Sequence, residues 1–528
     1  MNGHLPERLP GRRRVAITGI GPITPVGNGV DGLWDGIRRG ESAVGPITRF
    51  DPSQFSCRVA AEAEFEPLDF MTPKKAHKLD RFSQLGLACS LMALADAGLR
   101  PEDVAGDGIG IYTGSALGGI EFAEAQHEVF VHKGIRAVSP LLALSVFGGA
   151  SSCNIAIELG ITGASVANAN SCASGVIAIG EAARLIRAGE AEVMLAGGVE
   201  APLAPLTFGA FAIIRVLTGR NDDPATASRP FDKGRDGFVM AEGGTMLVLE
   251  EWERAERRGA HVYAELLGYA TTNDAHHMTA PRPDGAQAAR AMSGALRGAG
   301  LPAEAVGYVN AHGSSTVLND STECRAIRLA LGDHADAVPI SSTKGAHAHA
   351  LGATGAFETA ITALALDRGH LPGTVNLVDK DPACDLDVIG PGGRDERVAY
   401  AITNAFGFGG INASLVLGRT PAAEQACGRV RQLGAMDAAP GAPGCATSPT
   451  TAPSSGATPN RRSSSARSVA GTSIIRPSLS GRSRCRKGKN APASRNSIPT
   501  GRPSASKSTY VSSSSSAVST TSPSRSST

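Results

Sequence analysis

The strongest constraint on this fold lies between residues 164 and 189. An extended apolar piece, residues 164–169, runs into Asn170, Ser171, Cys172, Ala173, Ser174 and Gly175. A helical stripe follows, with Val176, Ile177, Ile179, Ala183, Leu185 and Ile186 on one side and Gly189 as its stop. A strand passing through a turn of small residues into a helix is the repeating unit of a layered α/β fold, and here it leaves one thiol at the helix start. Unpaired N–H groups and the helix dipole at that end favour the thiolate over the thiol. Ala173, Ser174 and Gly175 leave room for a substrate. The plain alternative is a buried structural cysteine, and the rest of the chain argues against it.

Strands alternate with helices on either side. Residues 14–21 read as an opening strand, 80–97 as an amphipathic helix, 108–115 as a second strand and 192–198 as a third. This alternation predicts a mostly parallel sheet covered on both faces. From about residue 262 a similar order returns: strand 263–268, helix 285–298, strand 306–310, helix 355–368 and a closing strand 398–404. Residue identity between the halves is low, so an internal duplication is left open by this pattern alone.

Composition breaks sharply near residue 420. From 421 onward fifteen Lys and Arg face only Glu424 and Asp437, a net of +13 against +2 for the whole chain, so residues 1–420 carry −11. The tail has one aromatic, Tyr510, and is dominated by Ser, Thr, Pro, Gly and Arg. Such a segment cannot bury enough apolar surface to offset chain entropy and is expected to be a disordered basic extension over 421–528. Its arginines lack the aromatic interleaving of a nucleic-acid surface, so no nucleic-acid partner is expected. A scaffolding or RNA-binding role would rest on the tail alone, and removing the tail would test it.

Nine cysteines, an odd count without CxxC spacing, fit neither a disulfide framework nor a zinc site. Residues 1–13 form a basic, Pro-containing, flexible start without an apolar signal core, and no run approaches eighteen apolar residues. A soluble cytoplasmic protein without a membrane partner is the expectation.

Three more stretches belong beside Cys172. His312 leaves a strand end in Asn310-Ala311-His312-Gly313-Ser314-Ser315-Thr316, among residues too small to bury it. Lys344, His347 and His349 lie in a Gly/Ala loop before a helix. Phe406 and Phe408 sit in a mobile-looking glycine loop, residues 404–410. Singly these read as a satisfied histidine, a solvated lysine and a turn. Together they supply a nucleophile, histidines, a cation and backbone donors. His347 and His349 as a His-x-His metal pair lack a third ligand motif, so no metal is expected.

Asn-Ser-Cys-Ala-Ser-Gly at Cys172, Asn-Ala-His-Gly-Ser-Ser-Thr at His312, Ser-Thr-Lys at Lys344 with His349 in His-Ala-Leu-Gly-Ala, and Phe-Gly-Phe-Gly-Gly at Phe408 resemble the β-ketoacyl synthases. The resemblance covers about residues 14–418. His312 and His349 follow Cys172 by 140 and 177 residues, which resembles the elongating Cys-His-His branch. It implies the thiolase fold, with similar α/β halves over 14–260 and 261–420 in a five-layer αβαβα sandwich, and it decides for duplication. It also implies decarboxylative Claisen condensation of an acyl group on Cys172 with malonyl-acyl carrier protein. His312 and His349 would stabilise the enolate, the N–H groups of Cys172 and Phe408 would form the oxyanion hole, and Lys344 with Glu358 would organise the charge. Ser314 and Thr316 would contact the phosphopantetheine arm, and Lys74, Lys75 and Lys78, clustered with Arg81 at a helix start, would receive an acidic acyl carrier protein. No cofactor is implied beyond that carrier's phosphopantetheine.

Two departures from the family pattern, Ala348 before His349 and Ser171 before Cys172, alter loops around the site without removing a reacting group. Phrases around residues 220–232 and 277–285 resemble type II polyketide ketosynthase subunits, which implies a heterodimer with a chain-length-factor paralogue. The alternative is a dimeric fatty-acid elongation synthase of the 3-oxoacyl-[acyl-carrier-protein] synthase II type.

Overall fold

The structure, a computed structural model, describes residues 13–420. The expectations for residues 1–12 and for the tail lie outside these. In chain order the elements that build the site are β1 (Val15–Thr24), α1 (Arg81–Asp96), β2 (Ile109–Gly114), α2 (Ile120–Lys133), α3 (Ala150–Leu159), β3 (Ser165–Asn168), α4 (Ser174–Ala188), β4 (Val193–Glu200), α5 (Pro205–Ile213) and β5 (Gly243–Glu251). They continue with β6 (Ala264–Asn273), α6 (Ala286–Ala299), β7 (Tyr308–Asn310), α7 (Val317–Leu331), β8 (Ile340–Ser341), α8 (Leu351–Arg368), β9 (Tyr400–Gly407) and β10 (Ile411–Gly418).

Strand order runs β8-β7-β9-β10-β6-β1-β5-β4-β2-β3. The first half is ordered β1-β5-β4-β2-β3 and the second β6-β10-β9-β7-β8, so each strand has a counterpart five strands later. The pairing signs match as well. In each half the first two contacts are antiparallel and the last two parallel. The expected mostly parallel sheet is therefore corrected to a mixed one. Strand–helix alternation implies a single crossover direction, whereas β5 and β10 return antiparallel beside their neighbours. The halves join where β1 meets β6 at Ala16–Glu265 and Ile17–Ala264.

Helices α4 and α8, which follow the equivalent strands β3 and β8, pack on each other between the half-sheets. Helices α1 and α3 cover one outer face, and α6 and α7 the other. This gives five layers. The central helix α8 is buried from Leu351 to Leu366, which explains why its apolar residues show no one-sided stripe. Strand β4 is buried throughout, as a strand covered on both faces must be. Where α4 crosses α8 the backbones nearly touch. A Cβ on Gly175 would lie 2.8 Å from the Ala356 nitrogen and 2.9 Å from the Gly352 carbonyl.

Three further readings are corrected toward the C-terminal end. The strand expected at 398–404 is β9, which is followed by β10 and does not close the sheet. The glycine stretch 404–410 is mostly strand, turning through Phe408–Gly410 into β10. Glycine content suggests a mobile loop, but Gly409 and Gly410 have φ of +85° and +73° and serve the hairpin turn. Helix α8 begins at Leu351, four residues before the expected Gly355.

Candidate active site

Cys172 sits in a single 3₁₀ turn, Ser171–Ala173, between β3 and α4. Its side chain is 7 % exposed. Three elements converge on it. Gly407 at the end of β9 comes so close that a Cβ would be 3.1 Å from the Cys172 nitrogen, and the Phe408 N–H faces the sulfur. The Ser171 hydroxyl lies 3.8 Å from Sγ. Burial nevertheless pushes the thiol pKa up, against the lowering effects of Ser171, the Lys344 charge and the Phe408 N–H. The expectation that the helix start alone favours the thiolate is thus corrected, since desolvation outweighs it in the free chain.

His312 is 4 % exposed, contrary to the reading that its small neighbours leave it open. The residues that bury it come from distant elements. His349 stands 5.3 Å away, ring centre to ring centre, and Phe406 of β9 5.8 Å away. Glu323 of α7 accepts the N–H groups of His312 and Gly313, both at 2.8 Å. The His312 Nδ1 is buried without a partner among the described residues. His349 is fixed through its backbone, donating to Val239 and accepting from Ala241. Its Nδ1 meets the Thr354 hydroxyl at 3.0 Å. Burial, then Lys344, holds both imidazoles well below their ordinary pKa.

Lys344 is fully buried in a one-turn helix, Lys344–His347, and is no loop lysine. Its ammonium donates to the His312 carbonyl and to Glu358 Oε1, both at 2.5 Å. Burial raises the Glu358 carboxyl to about 7, with Lys344 opposing. His347 turns away, pairing with the Thr343 hydroxyl at 2.9 Å and the Ala348 carbonyl at 2.7 Å, its ring edge-on to Phe357. Among the described residues no group of three His, Cys, Asp or Glu could hold a metal ion.

A cavity of about 350 Å³ joins these groups. Cys172, His312, His349, Phe408, Ser314 and Thr316 all line it. The Ser314 and Thr316 hydroxyls are 2.9 Å apart, and Thr316 also caps α7. Aromatic rings run along one wall: Phe408 stacks on Phe211 at 6.3 Å, Phe211 meets Phe238 at 6.2 Å, and Phe238 meets His349 at 5.2 Å. His277 and Met278, from the second polyketide-like phrase, line the mouth. Arg229, from the first, instead pairs with Asp232, and its backbone N–H donates to the Ser315 hydroxyl.

The basic cluster is split. Arg81 turns inward to Glu242 of the buried shell, at 2.6 Å, and Lys75 pairs with Glu158 of α3, leaving Lys74 and Lys78 exposed. The lysines also lie on or beside their own short helix, Pro73–Ala76, rather than on α1.

Several site residues escape a reading of the sequence. Glu323 and Thr354 hold the two histidines. Glu200, at the end of β4, accepts from the Ser115 hydroxyl and from the N–H groups of Ala116, Leu117 and Gly352, tying the cavity wall to the start of α8. Burial raises Glu200 and Glu323 to about 7. The available signal is a carboxylate among apolar positions, Glu323 beside Cys324, Ala326 and Ile327, which implies a buried and satisfied acid.

The family described as beta-ketoacyl synthase, N-terminal domain, matches residues 12–255, and its C-terminal domain matches residues 263–378. The chain belongs to the β-ketoacyl synthase family. A 3-oxoacyl-[acyl-carrier-protein] synthase 2 from Synechocystis is 44 % identical over 405 residues, 76 % of this chain and 97 % of that protein. One from Vibrio harveyi is 42 % identical over 407 residues, 77 % of this chain and 98 % of that protein. Among solved structures, the ishigamide ketosynthase/chain length factor superposes with a TM-score of 0.73 at 35 % identity, covering 78 % of this chain and all of that one. The ketosynthase complex AntDE:AntF, a type II polyketide assembly with its acyl-carrier protein, superposes at 0.70 with 34 % identity, again over 78 % of this chain and 100 % of that chain. This β-ketoacyl synthase is an acyl-transferring condensing enzyme of the thiolase-like fold. Among its described residues no helix is long and apolar enough to cross a membrane.

Proposed function

We propose that Cys172 carries the acyl chain and that His312 and His349 serve the malonyl half of the condensation. What carries this reading is that all three open into one cavity whose wall also presents the Phe408 N–H to the sulfur. In the first step the Cys172 thiolate attacks the acyl thioester. A carbon–sulfur bond forms at Sγ, the bond to the pantetheine sulfur breaks, and the pantetheine leaves as its thiol with the proton that Cys172 gave up. The N–H groups of Cys172 and Phe408 hold the tetrahedral oxyanion. In the second step the malonyl carboxylate leaves as carbon dioxide and its bonding pair passes into an enolate. The enolate carbon attacks the acyl carbonyl, a carbon–carbon bond forms, and Cys172 is released as thiolate.

Two neutral imidazoles suit the enolate. The low pKa values of His312 and His349 keep both uncharged at neutral pH, and each still has one ring N–H to donate. A Thr354 hydroxyl donating to Nδ1 of His349 leaves that proton on Nε2. Lys344, with Glu358 behind it, adds a fixed positive field and holds the His312 backbone. Ser314 and Thr316 fit the pantetheine arm as a pair of hydroxyls at the cavity wall. Lys74 and Lys78, the exposed part of the basic group, fit an acidic acyl carrier protein, with Lys75 in reserve behind its ion pair.

Dimerisation through β3 is supported by its place at the sheet edge, where Val166 is 37 % exposed, and by exposed Phe130 and Val131 on α2 and Ile157 on α3. We favour a type II polyketide role with a chain-length-factor partner, the pairing that gives the similar ishigamide ketosynthase/chain length factor its name. The identities of 44 % and 42 % to 3-oxoacyl-[acyl-carrier-protein] synthases 2 favour the second reading, fatty-acid elongation. Purification of the tagged chain from its native host, followed by product analysis with malonyl-carrier protein, tests both. Co-purification with a paralogue lacking the nucleophile and formation of poly-β-keto products supports the first. A homodimer that elongates reduced acyl chains overturns it.

A further inference from the structure

Ser171 stands directly before Cys172 with φ of +52°, in the left-handed region that glycine occupies freely and other residues only at a cost. Its backbone carbonyl accepts the Ser174 hydroxyl at 2.7 Å, a bond that any residue at this position would make. Its own hydroxyl makes one contact among the described residues, to Cys172 Sγ at 3.8 Å, in the wall of the acyl cavity. A hydroxyl is thus kept at a strained position where its one partner is the thiol. We infer that Ser171 is a positioning residue whose hydroxyl donates to the Cys172 sulfur and stabilises the thiolate that acyl transfer requires.

The surroundings leave that task to a local donor. Desolvation works against the anion, and Glu200 at the end of β4 adds a like charge. On the other side are the Lys344 cation, already held by Glu358 and the His312 carbonyl, and the Phe408 N–H. His312 and His349 are neutral and add no charge. A hydrogen bond from O–H to a thiolate is charge-assisted and shorter than one to a thiol, so 3.8 Å in the neutral pair is the loose form of a contact that tightens on ionisation. Placement on the residue before the nucleophile also keeps the donor in reach whatever the Phe408 turn does.

The inference rests on Cys172 being the acyl acceptor, and the test separates the two. Alkylation by iodoacetamide is followed against pH in the full chain, read by mass on the peptide carrying residue 172, for wild type, Ser171→Ala and Ser171→Gly. Both variants lose the hydroxyl, but only Ser171→Gly relieves the backbone strain. Both should move the alkylation midpoint to higher pH by about half to one unit, slowing alkylation at pH 7 roughly three- to tenfold. Unchanged midpoints in both variants overturn the inference, as does a shift in Ser171→Gly alone, which would assign the effect to backbone conformation. Acylation of residue 172 by an acyl-carrier thioester is measured separately. Its absence would overturn the reading of Cys172 while leaving the alkylation result to judge Ser171.

Discussion

Substituting Gly175 by alanine tests the link between the central helix crossing and the chemistry. Three residues after Cys172, the new Cβ would meet the Ala356 nitrogen at 2.8 Å, where ordinary contact begins at 3.4 Å, a shortfall of about 0.6 Å. The atoms it meets are backbone, so α4 and α8 must part. Overpacking of this kind costs about 1–3 kcal/mol, and the better helix propensity of alanine returns up to about 1 kcal/mol, leaving a net loss near 1–2 kcal/mol. The same displacement separates Cys172, at the start of α4, from His349, just before α8. Misplacement of about 1 Å between reacting groups costs roughly a hundredfold, so a drop in kcat/KM of ten- to a hundredfold is expected. Gly298 in α6 is the control. A Cβ there meets nothing closer than 3.9 Å, so Gly298→Ala should stabilise the protein slightly and leave the rate alone. Thermal unfolding and steady-state condensation on both variants give the answer. Wild-type stability and rate in Gly175→Ala, or equal damage in Gly298→Ala, would refute the reasoning.

Alanine at His312 or His349 should slow condensation at least a hundredfold, on the scale of about 3 kcal/mol for a lost oxyanion donor, while His347→Ala costs stability through its packing on Phe357 and leaves turnover within a few fold. The histidines also set a pH dependence. Their folded pKa values lie below the unfolded value of 6.5, so the unfolded chain binds more protons below that pH and stability is lost as pH falls. Each histidine contributes about 1.4 kcal/mol per pH unit there. Glu200, Glu323 and Glu358, raised from 4.5 to about 7, act with the opposite sign. The histidine share is therefore read as the smaller loss of stability in the His312→Ala and His349→Ala variants between pH 6.5 and 5. For the carrier, charge reversal at Lys74 and Lys78 should weaken binding about tenfold at low salt and much less at high salt, measured by titration with acyl carrier protein. Unchanged affinity at low salt would place the docking surface elsewhere.

The turn holding Cys172 is readable because strand, small residues and helical stripe adjoin one another in sequence. The repeated element order is also visible, but strand direction is not, since β5 returns antiparallel through contacts that local periodicity does not encode. His312 and Lys344 show the limit most clearly. Both sit among Gly, Ala and Ser, which reads as exposure, yet both are buried by side chains outside their own motifs, Glu323 and Glu358 on the helices that follow and Phe406 from far along the chain. Their membership of one site comes from motif resemblance and not from any local signal. Glu323 and Glu200 go unnoticed because a carboxylate's role as a backbone anchor becomes visible only when its N–H partners are assembled. The split of Lys74, Lys75 and Lys78 has the same origin, for Glu158 and Glu242 are distant in sequence and decide which cations stay free.

The central claim is that the acyl chain resides on Cys172, and intact-mass analysis after brief incubation with an acyl-carrier thioester tests it most directly. Wild type should gain the mass of one acyl group on the peptide carrying residue 172, and Cys172→Ala should gain none. An acyl adduct of equal yield on Cys172→Ala would contradict the account.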